Sequence, residues 1–348
     1  MFLSEFTFQQ ASGWQIEKLS LNQQNLVVGM NAVGKSRTIA AIGRVIRFIK
    51  GETEASAEDF SCTLLLENDG KLEYSFEISG GFVLAEILKK DGANIIRRDQ
   101  FSAKIFDEQI SPPSNKLVIQ VRRDTMRYPE IEEIIQWTEH TSVFIFSNIT
   151  TSPNSLSPYA ISSEPLLPIM YGNISENLRE KMLTCMRDMG YQIDRIVEYK
   201  RDNGTKMLHI YESGIAIPMT PFDLSNGMFR VFCVLLYMFY CSTLADAKFL
   251  MIDDLGEGLD YMRSTKLGII IFDYCRENNI QLIVTSNDSF LMDAIDLQFW
   301  NILQRKGNRV IGLNRQTHFT LFEKFARTGL NNFDLLSSNF IINHTRDE

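Results

Sequence analysis

Short runs of alternating apolar and polar residues open the chain. The alternation from Phe2 to Phe8 and from Trp14 to Leu21 predicts two strands, and Asn25 to Val28 predicts a third. After Lys35, apolar residues recur every three or four positions as far as Lys50, which is the spacing of an amphipathic helix. The chain is therefore predicted to begin with strands, a glycine-bearing turn and a helix.

A second pattern of strict alternation follows this helix. Four alternating runs are separated by turn signals that contain glycine, and Asp-Gly between such runs is a strong hairpin signal. The runs are Thr63–Glu67, Leu72–Ile78, Phe82–Leu88 and Ala93–Ile96, and the turns are 68–70, 79–81 and 90–92. We expect an antiparallel β meander.

The middle of the chain is mixed. Ser142 to Ile149 resembles a buried strand, and Thr150 to Pro168, rich in Ser, Pro and Asn, is predicted to be a long irregular loop. Asn177 to Met189 has helical spacing. The runs 191–199 and 206–211 flank Asp-Asn-Gly and predict a hairpin.

Helical and apolar strand patterns alternate in the last third. Helices are predicted at 226–245, 261–278 and 289–295, and strands at 248–253 and 280–285. This alternation is typical of a parallel sheet with crossover helices. A short strand pair, Arg309–Leu313 with His318–Phe322, and a helical tail are predicted to follow. We expect one domain with three regions, 1–110, 111–224 and 225–348.

Composition and charge narrow the class of protein. Of 348 residues, 45% are apolar and 22% are charged, which excludes a disordered chain, a coiled-coil rod and a collagen-like fibre. The net charge of −8 gives no overall electrostatic footprint for nucleic acid, although a local basic stripe is compatible with it. Five scattered cysteines indicate reduced core thiols, and four histidines far apart in sequence do not suggest a zinc site.

No segment has the pattern of a signal peptide or a membrane span. Glu5 and polar glutamines interrupt the apolar residues at the start. The most apolar stretch, Val231 to Cys241, is shorter than the ~20 residues that a spanning helix needs. We expect a cytoplasmic protein that does not bind a membrane.

The glycine-bearing turn fits the phosphate-loop motif G-x-x-x-x-G-K-[ST] at every required position, from Gly29 to Ser36. The glycines allow backbone N–H groups to point at phosphate oxygens, and the positive end of the following helix attracts the anion. Lys35 is predicted to reach the β- and γ-phosphates of ATP, and the Ser36 hydroxyl to ligate Mg²⁺. The residues expected at the nucleotide are Gly29, Asn31, Ala32, Val33, Gly34, Lys35, Ser36 and Arg37.

The predicted strand at 248–253 ends in two carboxylates. Ligands bind at the carboxyl ends of strands in open α/β sheets, so Asp253 is expected to hold Mg²⁺. Asp254 is expected to orient the attacking water or to accept its proton. The alternative is that both acids only cap a loop.

Leu224-Ser225-Asn226-Gly227 opens the helix predicted before the acidic strand. The order of phosphate loop, long insertion, Leu-Ser-x-Gly and acidic strand resembles the ABC-type ATPases of the non-transporter RecF, SMC and OLD-like branch. Leu259-Asp260 resembles the D-loop of that family. The resemblance implies an α/β ATPase head with a mixed core sheet, the meander and a helical subdomain, and no coiled-coil arm is expected.

The resemblance also implies a site shared between two subunits. In this family the signature of one subunit meets the γ-phosphate held by another. Ser225 and Gly227 are therefore expected to act on the ATP of the partner in a dimer or higher oligomer. The alternative for Ser225, compatible with the first, is that it caps the following helix.

The sequence departs from the family pattern at two places, and a third position of the pattern has two candidates. The residue after the magnesium aspartate is usually glutamate, but here it is Asp254, which suggests slow hydrolysis. The switch histidine is replaced by Thr285-Ser286-Asn287-Asp288, in which Asn287, or Ser286 in a shifted alignment, is the candidate for the γ-phosphate contact. For the lid glutamine the candidates are Gln120 and, beside it, the cluster 122–124, for which the alternative is a solvated face.

The expected function is an ATP-dependent switch that controls a separate nuclease or toxin. The 285–288 stretch resembles stand-alone AAA-family ATPases of anti-phage defence, and too few residues follow it for the nuclease domain of OLD proteins. Nucleic acid is a further candidate partner. A RecF-like recombination ATPase and a transporter ATPase subunit are the alternatives. The net charge of −8 does not favour the first, and the missing histidine and the insertion at 37–224 weigh against the second.

Overall fold

A computed structural model describes residues 1–145, 166–202, 204–244, 248–338 and 340–341. The chain forms two compact units. The first contains Met1–Thr141, Asp246–Phe249 and Asp296–Glu348, and the second contains Ser142–Ala245 and Leu250–Ile295.

The strands and helices are numbered here in chain order. The strands are β1 Phe2–Gln10, β2 Gln15–Ser20, β3 Gln24–Val28, β4 Phe60–Glu67, β5 Lys71–Ser79, β6 Phe82–Lys90, β7 Ala93–Arg98, β8 Ala103–Ile105, β9 Glu108–Ile110, β10 Thr141–Ile145, β11 Ile193–Lys200, β12 Lys206–Glu212, β13 Phe249–Asp253, β14 Gln281–Thr285, β15 Trp300–Lys306 and β16 Arg309–Asn314. The helices are α1 Lys35–Lys50, α2 Val118–Val121, α3 Pro129–Glu139, α4 Leu166–Asn173, α5 Glu176–Asp188, α6 Asn226–Thr243, α7 Tyr261–Glu277, α8 Ser289–Ala294, α9 Phe319–Ala326 and α10 Asp334–Ser337.

The first unit contains a large mixed sheet. Its strands follow the order β3-β15-β16-β2-β1-β4-β5-β6-β7-β8-β9. β15 runs parallel to β3 and β16 runs parallel to β2, whereas β4 to β9 pair antiparallel with their sequence neighbours. The predicted meander is therefore confirmed, and it is extended by the hairpin of β8 and β9.

Aromatic packing fixes α1 against this sheet. The Phe48 ring near the end of α1 lies 6.2 Å from the Phe60 ring and 5.8 Å from the Phe76 ring, between centroids. Phe8 on β1 lies 5.1 Å from Phe60. Such ring pairs add to the free energy gained by burying their apolar area. The helix that follows the phosphate loop is thus held by the core of the first unit.

The second unit contains β10, β13 and β14 side by side in that order, together with the separate hairpin of β11 and β12. β13 and β14 are buried along their whole length, which explains their continuous apolar pattern. The predicted hairpin and the helix–strand alternation at 226–295 are confirmed. α6 has 18 residues and is the longest helix that the described residues form. No long helical arm emerges from them.

Three sequence predictions differ from the structure. The segment His318–Phe322, predicted as a strand, instead begins helix α9, because the Asn314 side chain accepts backbone N–H groups at 316 and 317 and turns the chain. The antiparallel partner of β16 is β15, which the sequence pattern does not indicate, rather than the segment 318–322. The predicted loop ends at Leu166, where α4 begins; Pro168 fits there because the first turn of a helix needs no N–H donor. Residues 146–165, including most of that loop and the end of the predicted strand 142–149, lie outside the described residues.

Among the described residues, no helix is both long enough and apolar enough to cross a membrane.

Candidate functional site

The phosphate loop connects β3 to α1 in the first unit, as the motif requires. Gly29 has a φ of 153°, and a Cβ at this position would lie 2.8 Å from the carbonyl oxygen of Leu303. That approach is too close for any side chain, so the chain can turn here only with glycine. Ala32 and Gly34 continue the curl at φ values of 62° and 115°.

Lys35 is folded over the loop. Its side chain is 6% exposed, and its Nζ donates to the carbonyl oxygens of Gly29 at 2.8 Å and Met30 at 3.4 Å. The ammonium group is therefore held against the loop backbone at the amino end of α1, where the helix dipole also attracts anions. Asn31 and Ser36 are exposed beside it, and Val33 is buried.

Two arginines lie beside the loop, and each is held by contacts within the first unit. Arg37 lies over the Trp14 ring at 4.2 Å and donates to Gln10 Oε1 at 2.9 Å. Burial, followed by the charges of Arg305 and Arg44, lowers the pKa of Arg37. Arg305 reaches the carbonyl oxygen of Ala32 at 3.4 Å. These cations create a positive potential at the loop, which suits a polyphosphate.

Trp14 and Arg305 were not identified from the sequence. The ring of Trp14 is 4% exposed, and it lies 3.7 Å from the position that a Cβ on Gly34 would occupy. The sequence signal for both is weak, since a tryptophan next to a strand and an arginine near a chain turn are ordinary features.

The acidic pair lies at the end of β13 in the second unit. Asp253 is 4% exposed, and its Oδ1 accepts a hydrogen bond from the Thr285 hydroxyl. The Asp254 N–H donates to the same hydroxyl oxygen at 2.8 Å. Asp254 has a φ of 56°, a left-handed conformation in which aspartate and asparagine are enriched. The Asp253 side chain and the Asp254 backbone are thus both held by Thr285 where the chain turns after β13.

The 285–288 stretch divides into residues with different partners. Ser286 is fully buried, and its hydroxyl donates to the carbonyl oxygen of Leu255 at 2.9 Å. Asp288 caps α8 and accepts a hydrogen bond from Ser264. Asn287 is exposed. Of the two sequence candidates for a phosphate contact, Asn287 is therefore the accessible side chain and Ser286 is engaged in the fold.

The Leu-Ser-x-Gly element opens α6, as expected. Ser225 is the N-cap of this helix, and its hydroxyl accepts the Met228 N–H at 3.3 Å, so the capping role is confirmed. A Cβ on Gly227 would lie 3.3 Å from Leu259 Cδ2, which brings the signature and the Leu259-Asp260 element into contact. Both elements line an open pocket of about 490 Å³, which Tyr191 and Arg263 also line.

Gln120 lies at the wrong end of α1 for a lid glutamine. Its amide donates to the carbonyl oxygens of Phe48 and Ile49, and its Oε1 accepts the Leu117 N–H at 2.9 Å. α1 has 16 residues, which is about 24 Å at ~1.5 Å per residue, so the loop at Lys35 is out of reach. Gln120 instead hydrogen-bonds to carbonyl groups in the last turn of α1, where a helix runs out of its own N–H donors.

The neighbouring basic cluster is ion-paired within the first unit. The Arg123 guanidinium donates to both carboxylate oxygens of Glu132 and lies 3.5 Å from Glu139. Asp124 accepts the backbone N–H groups of residues 126 and 127, each at 3.0 Å. These contacts favour a structural role for this cluster rather than a phosphate contact.

The side chains fit Mg²⁺ better than a transition metal. Mg²⁺ prefers oxygen ligands and is usually held by one or two protein groups together with substrate phosphates. Ser36, in the first unit, offers a hydroxyl of this type, and Asp253, in the second unit, offers a carboxylate. No group of three or more His, Cys, Asp or Glu side chains placed to hold a metal occurs in the part of the chain that the structure describes.

Comparisons with known proteins identify the fold. No protein-family model and no curated protein matches the sequence. Among solved structures, the SmcHead bound to the C-winged helix domain of ScpA matches with a TM-score of 0.56 and 12% identity, covering 91% of this chain and 99% of that chain. An Smc head with an extended coiled coil, bound to the C-terminal domain of ScpA derived from Pyrococcus furiosus, matches with a TM-score of 0.53 and 12% identity, covering 93% and 99%. The chain therefore has the α/β fold of SMC head domains, and this likeness establishes the fold alone.

Proposed function

We propose that this protein binds and hydrolyses ATP with Mg²⁺ and acts as an ABC-type switch that dimerises around the nucleotide. The observation that carries the proposal is the phosphate loop itself. It follows a strand and opens a helix, and Lys35 is buried against its backbone at 2.8 Å from the Gly29 carbonyl oxygen. This arrangement, on the fold of SMC heads, is the context in which the motif binds phosphate.

The side chains divide the work as follows. Lys35 would leave the loop carbonyls for the β- and γ-phosphates, and Ser36 and Asp253 would hold Mg²⁺, which screens the phosphate charge when bound. Asp254 would orient the attacking water or accept its proton. Asn287, exposed after β14, is our candidate for the γ-phosphate contact.

The second half of the site would come from a second copy of the chain. Ser225 and Gly227 lie at the amino end of an 18-residue helix, and Ser225 is exposed. Backbone N–H groups at such an end attract anions. This supports a role for the pair on the γ-phosphate bound by the partner, and hence a dimer whose closure requires ATP.

We further propose that the closed dimer controls a separate effector, such as a nuclease or toxin, in anti-phage defence or nucleic-acid surveillance. Both similar Smc heads were solved with a domain of ScpA bound to them. That precedent supports the docking of another protein on this fold. The resemblance of the 285–288 stretch to stand-alone defence ATPases supports the biological context.

The test measures turnover and mass together. We expect purified protein to hydrolyse ATP only with Mg²⁺, and Asp254→Asn to slow turnover by ~10²–10⁴-fold while ATP still binds. Asparagine tolerates the left-handed backbone of Asp254, so the fold is retained. With hydrolysis slowed, light scattering should detect an ATP-dependent dimer. The matched control is Asp273→Asn, at a half-buried residue of α7 that pairs with Arg276. A protein that neither binds nor hydrolyses ATP, or that stays monomeric in both forms, would refute the proposal.

A further inference from the structure

We propose that Thr285 is a positioning residue, whose single hydroxyl holds the Asp253 carboxylate and the Asp254 backbone in the arrangement that magnesium binding and hydrolysis need. The inference deepens the proposed function and rests on it. Neither the phosphate-loop motif nor the acidic strand identifies Thr285.

The hydroxyl has one hydrogen to donate and lone pairs to accept. It donates to Asp253 Oδ1, since an ionised carboxylate can only accept. It accepts from the Asp254 N–H at 2.8 Å, since a backbone N–H can only donate. The direction of both bonds is therefore fixed. Thr285 is fully buried, so water does not compete for either one.

Further hydrogen bonds tie the same two strand ends together. The Leu255 N–H donates to the Thr285 carbonyl oxygen at 2.9 Å, and the Ser286 hydroxyl donates to the Leu255 carbonyl oxygen at 2.9 Å. β13 and β14 are adjacent in the sheet of the second unit. The turn at 254–255 thus has little freedom to move relative to the end of β14. Thr285 is the member of this network that contacts the Asp253 carboxylate.

Orientation is what such a contact supplies. A carboxylate that accepts a buried hydrogen bond at one oxygen presents the other oxygen in a defined direction. Partners of metal ligands typically contribute 10–100-fold in metal affinity or activity. The branched Cβ of threonine also restricts χ1, so the hydroxyl is held in place before any ligand arrives.

The experiment compares Thr285→Val, which is nearly isosteric and removes both hydrogen bonds, with Thr285→Ser, which retains the hydroxyl. Thr285→Ala is prepared as well, so that the comparison stands if the valine variant does not fold. The matched control is Thr265→Val on α7, where the buried hydroxyl has no hydrogen-bond partner among the residues that the structure describes. The same chemical change there removes no contact with the acidic pair.

Two quantities are measured for each variant. The first is the Mg²⁺ concentration that gives half of the rise in melting temperature with ATP, and the second is kcat against Mg²⁺. For Thr285→Val we expect a 10–100-fold higher Mg²⁺ requirement and a lower kcat, with ATP binding in the absence of Mg²⁺ unchanged. Thr285→Ser should lie within a few-fold of the parent, and Thr265→Val should match it.

The outcomes separate this inference from the proposed function. If the parent binds and hydrolyses ATP but Thr285→Val and Thr285→Ala keep its Mg²⁺ requirement, Thr285 has no positioning role. A lower melting temperature with an unchanged Mg²⁺ requirement also excludes that role, since it is a structural effect alone. If the parent itself neither binds nor hydrolyses ATP, the proposed function falls and the inference falls with it.

Discussion

The Tyr74 hydroxyl donates a hydrogen bond of 3.0 Å to the Glu86 carboxylate across β5 and β6, and both side chains are fully buried. Glu86 also accepts the Val118 N–H at 2.6 Å. Arg98 lies 3.9 Å from this carboxylate and donates to carbonyl oxygens in the segment 113–116. This network holds the segment 113–119 against the meander. The next residue, Gln120, hydrogen-bonds to the last turn of α1.

This network predicts a pH-dependent stability. Burial raises the pKa of Glu86 from 4.5 to about 7, because removing the carboxylate from water disfavours its charged form. The folded state therefore binds a proton that the unfolded state has released between these two values. The free energy of unfolding should decrease as pH rises from about 4.5 to about 7.

Glu86→Gln should remove this pH dependence. Its neutral amide does not titrate, so its melting temperature should change less between pH 5 and pH 7 than that of the parent, although it should be lower overall because Arg98 loses its carboxylate. Glu77→Gln is the control, since Glu77 is exposed on the neighbouring strand. The free energy of unfolding can also be measured against pH by chemical unfolding. If it changes with pH equally in the parent and in Glu86→Gln, Glu86 does not titrate in this range.

Lys35→Ala should abolish the stabilisation by ATP. The substitution removes the cation nearest the loop backbone. At ATP concentrations of about 100 times Kd, the parent should gain about 2.7 kcal/mol of stability, and the variant should gain almost none. The measurement is the shift in melting temperature on adding ATP, which cancels any loss of stability in the free variant.

Lys104→Ala is the control for Lys35→Ala. Lys104 is an exposed lysine on β8 in the same unit, far along the sheet order from β3. It should retain the full shift with ATP. A Lys35→Ala protein with the same shift would mean that the loop does not hold the phosphates.

The features predicted correctly from the sequence are those encoded by neighbouring residues. The phosphate loop is specified by glycines and a lysine within eight consecutive residues, Gly29 to Ser36. The meander is specified by the alternation of apolar and polar residues between Asp-Gly or Gly-Gly turns. Ser225 caps α6 because a serine before an apolar run has a local partner three residues away. In each case a short segment determines its own conformation.

The features that were missed depend on distant residues. β15 is recognisable by its parallel pairing with β3, whereas its second half, Gln304 to Lys306, is polar or charged. Gln120 follows a strand-like apolar run, and only the structure shows that its amide reaches the end of α1. Thr285 precedes Asn287 in a motif that suggests a phosphate contact, but its hydroxyl contacts the Asp253 side chain and the Asp254 backbone at the end of another strand. Sequence spacing carries no information about such contacts.

Ser225→Arg should block hydrolysis without blocking ATP binding. In the proposed dimer, the side chain would place a bulky cation at the γ-phosphate held by the partner, while the phosphate loop of the same chain is unchanged. Turnover should fall to background, and the ATP-induced shift in melting temperature should persist. The conditions must be ones in which the parent is dimeric by light scattering.

Ser225→Ala is the control that separates the role of Ser225 as the N-cap of α6 from its proposed role at the γ-phosphate of the partner. It removes the hydrogen bond to the Met228 N–H and should cost about 1 kcal/mol of stability, with most of the turnover retained. Parental turnover in Ser225→Arg dimers would mean that the site is self-contained in each chain. Mixing Ser225→Arg with Lys35→Ala should restore partial activity, because one site of the mixed dimer then carries neither change.

Asp254→Glu should not raise turnover, although glutamate is the usual residue at this position in the ABC-type ATPases that the sequence resembles. The backbone of Asp254 is left-handed at φ 56°, a conformation that aspartate and asparagine adopt more readily than glutamate does. Strain at such a position costs on the order of 1–3 kcal/mol, so part of that amount should appear as lost stability in the glutamate variant.

Asp254→Asn should melt close to the parent, and Asp254→Gly should melt no lower, because glycine adopts positive φ without strain. The melting temperatures should therefore order as Gly and Asn near or above Asp, with Glu lowest, while turnover is greatest for Asp. A glutamate variant that is as stable as the parent and hydrolyses ATP faster would show that the backbone at this turn does not select the shorter acid.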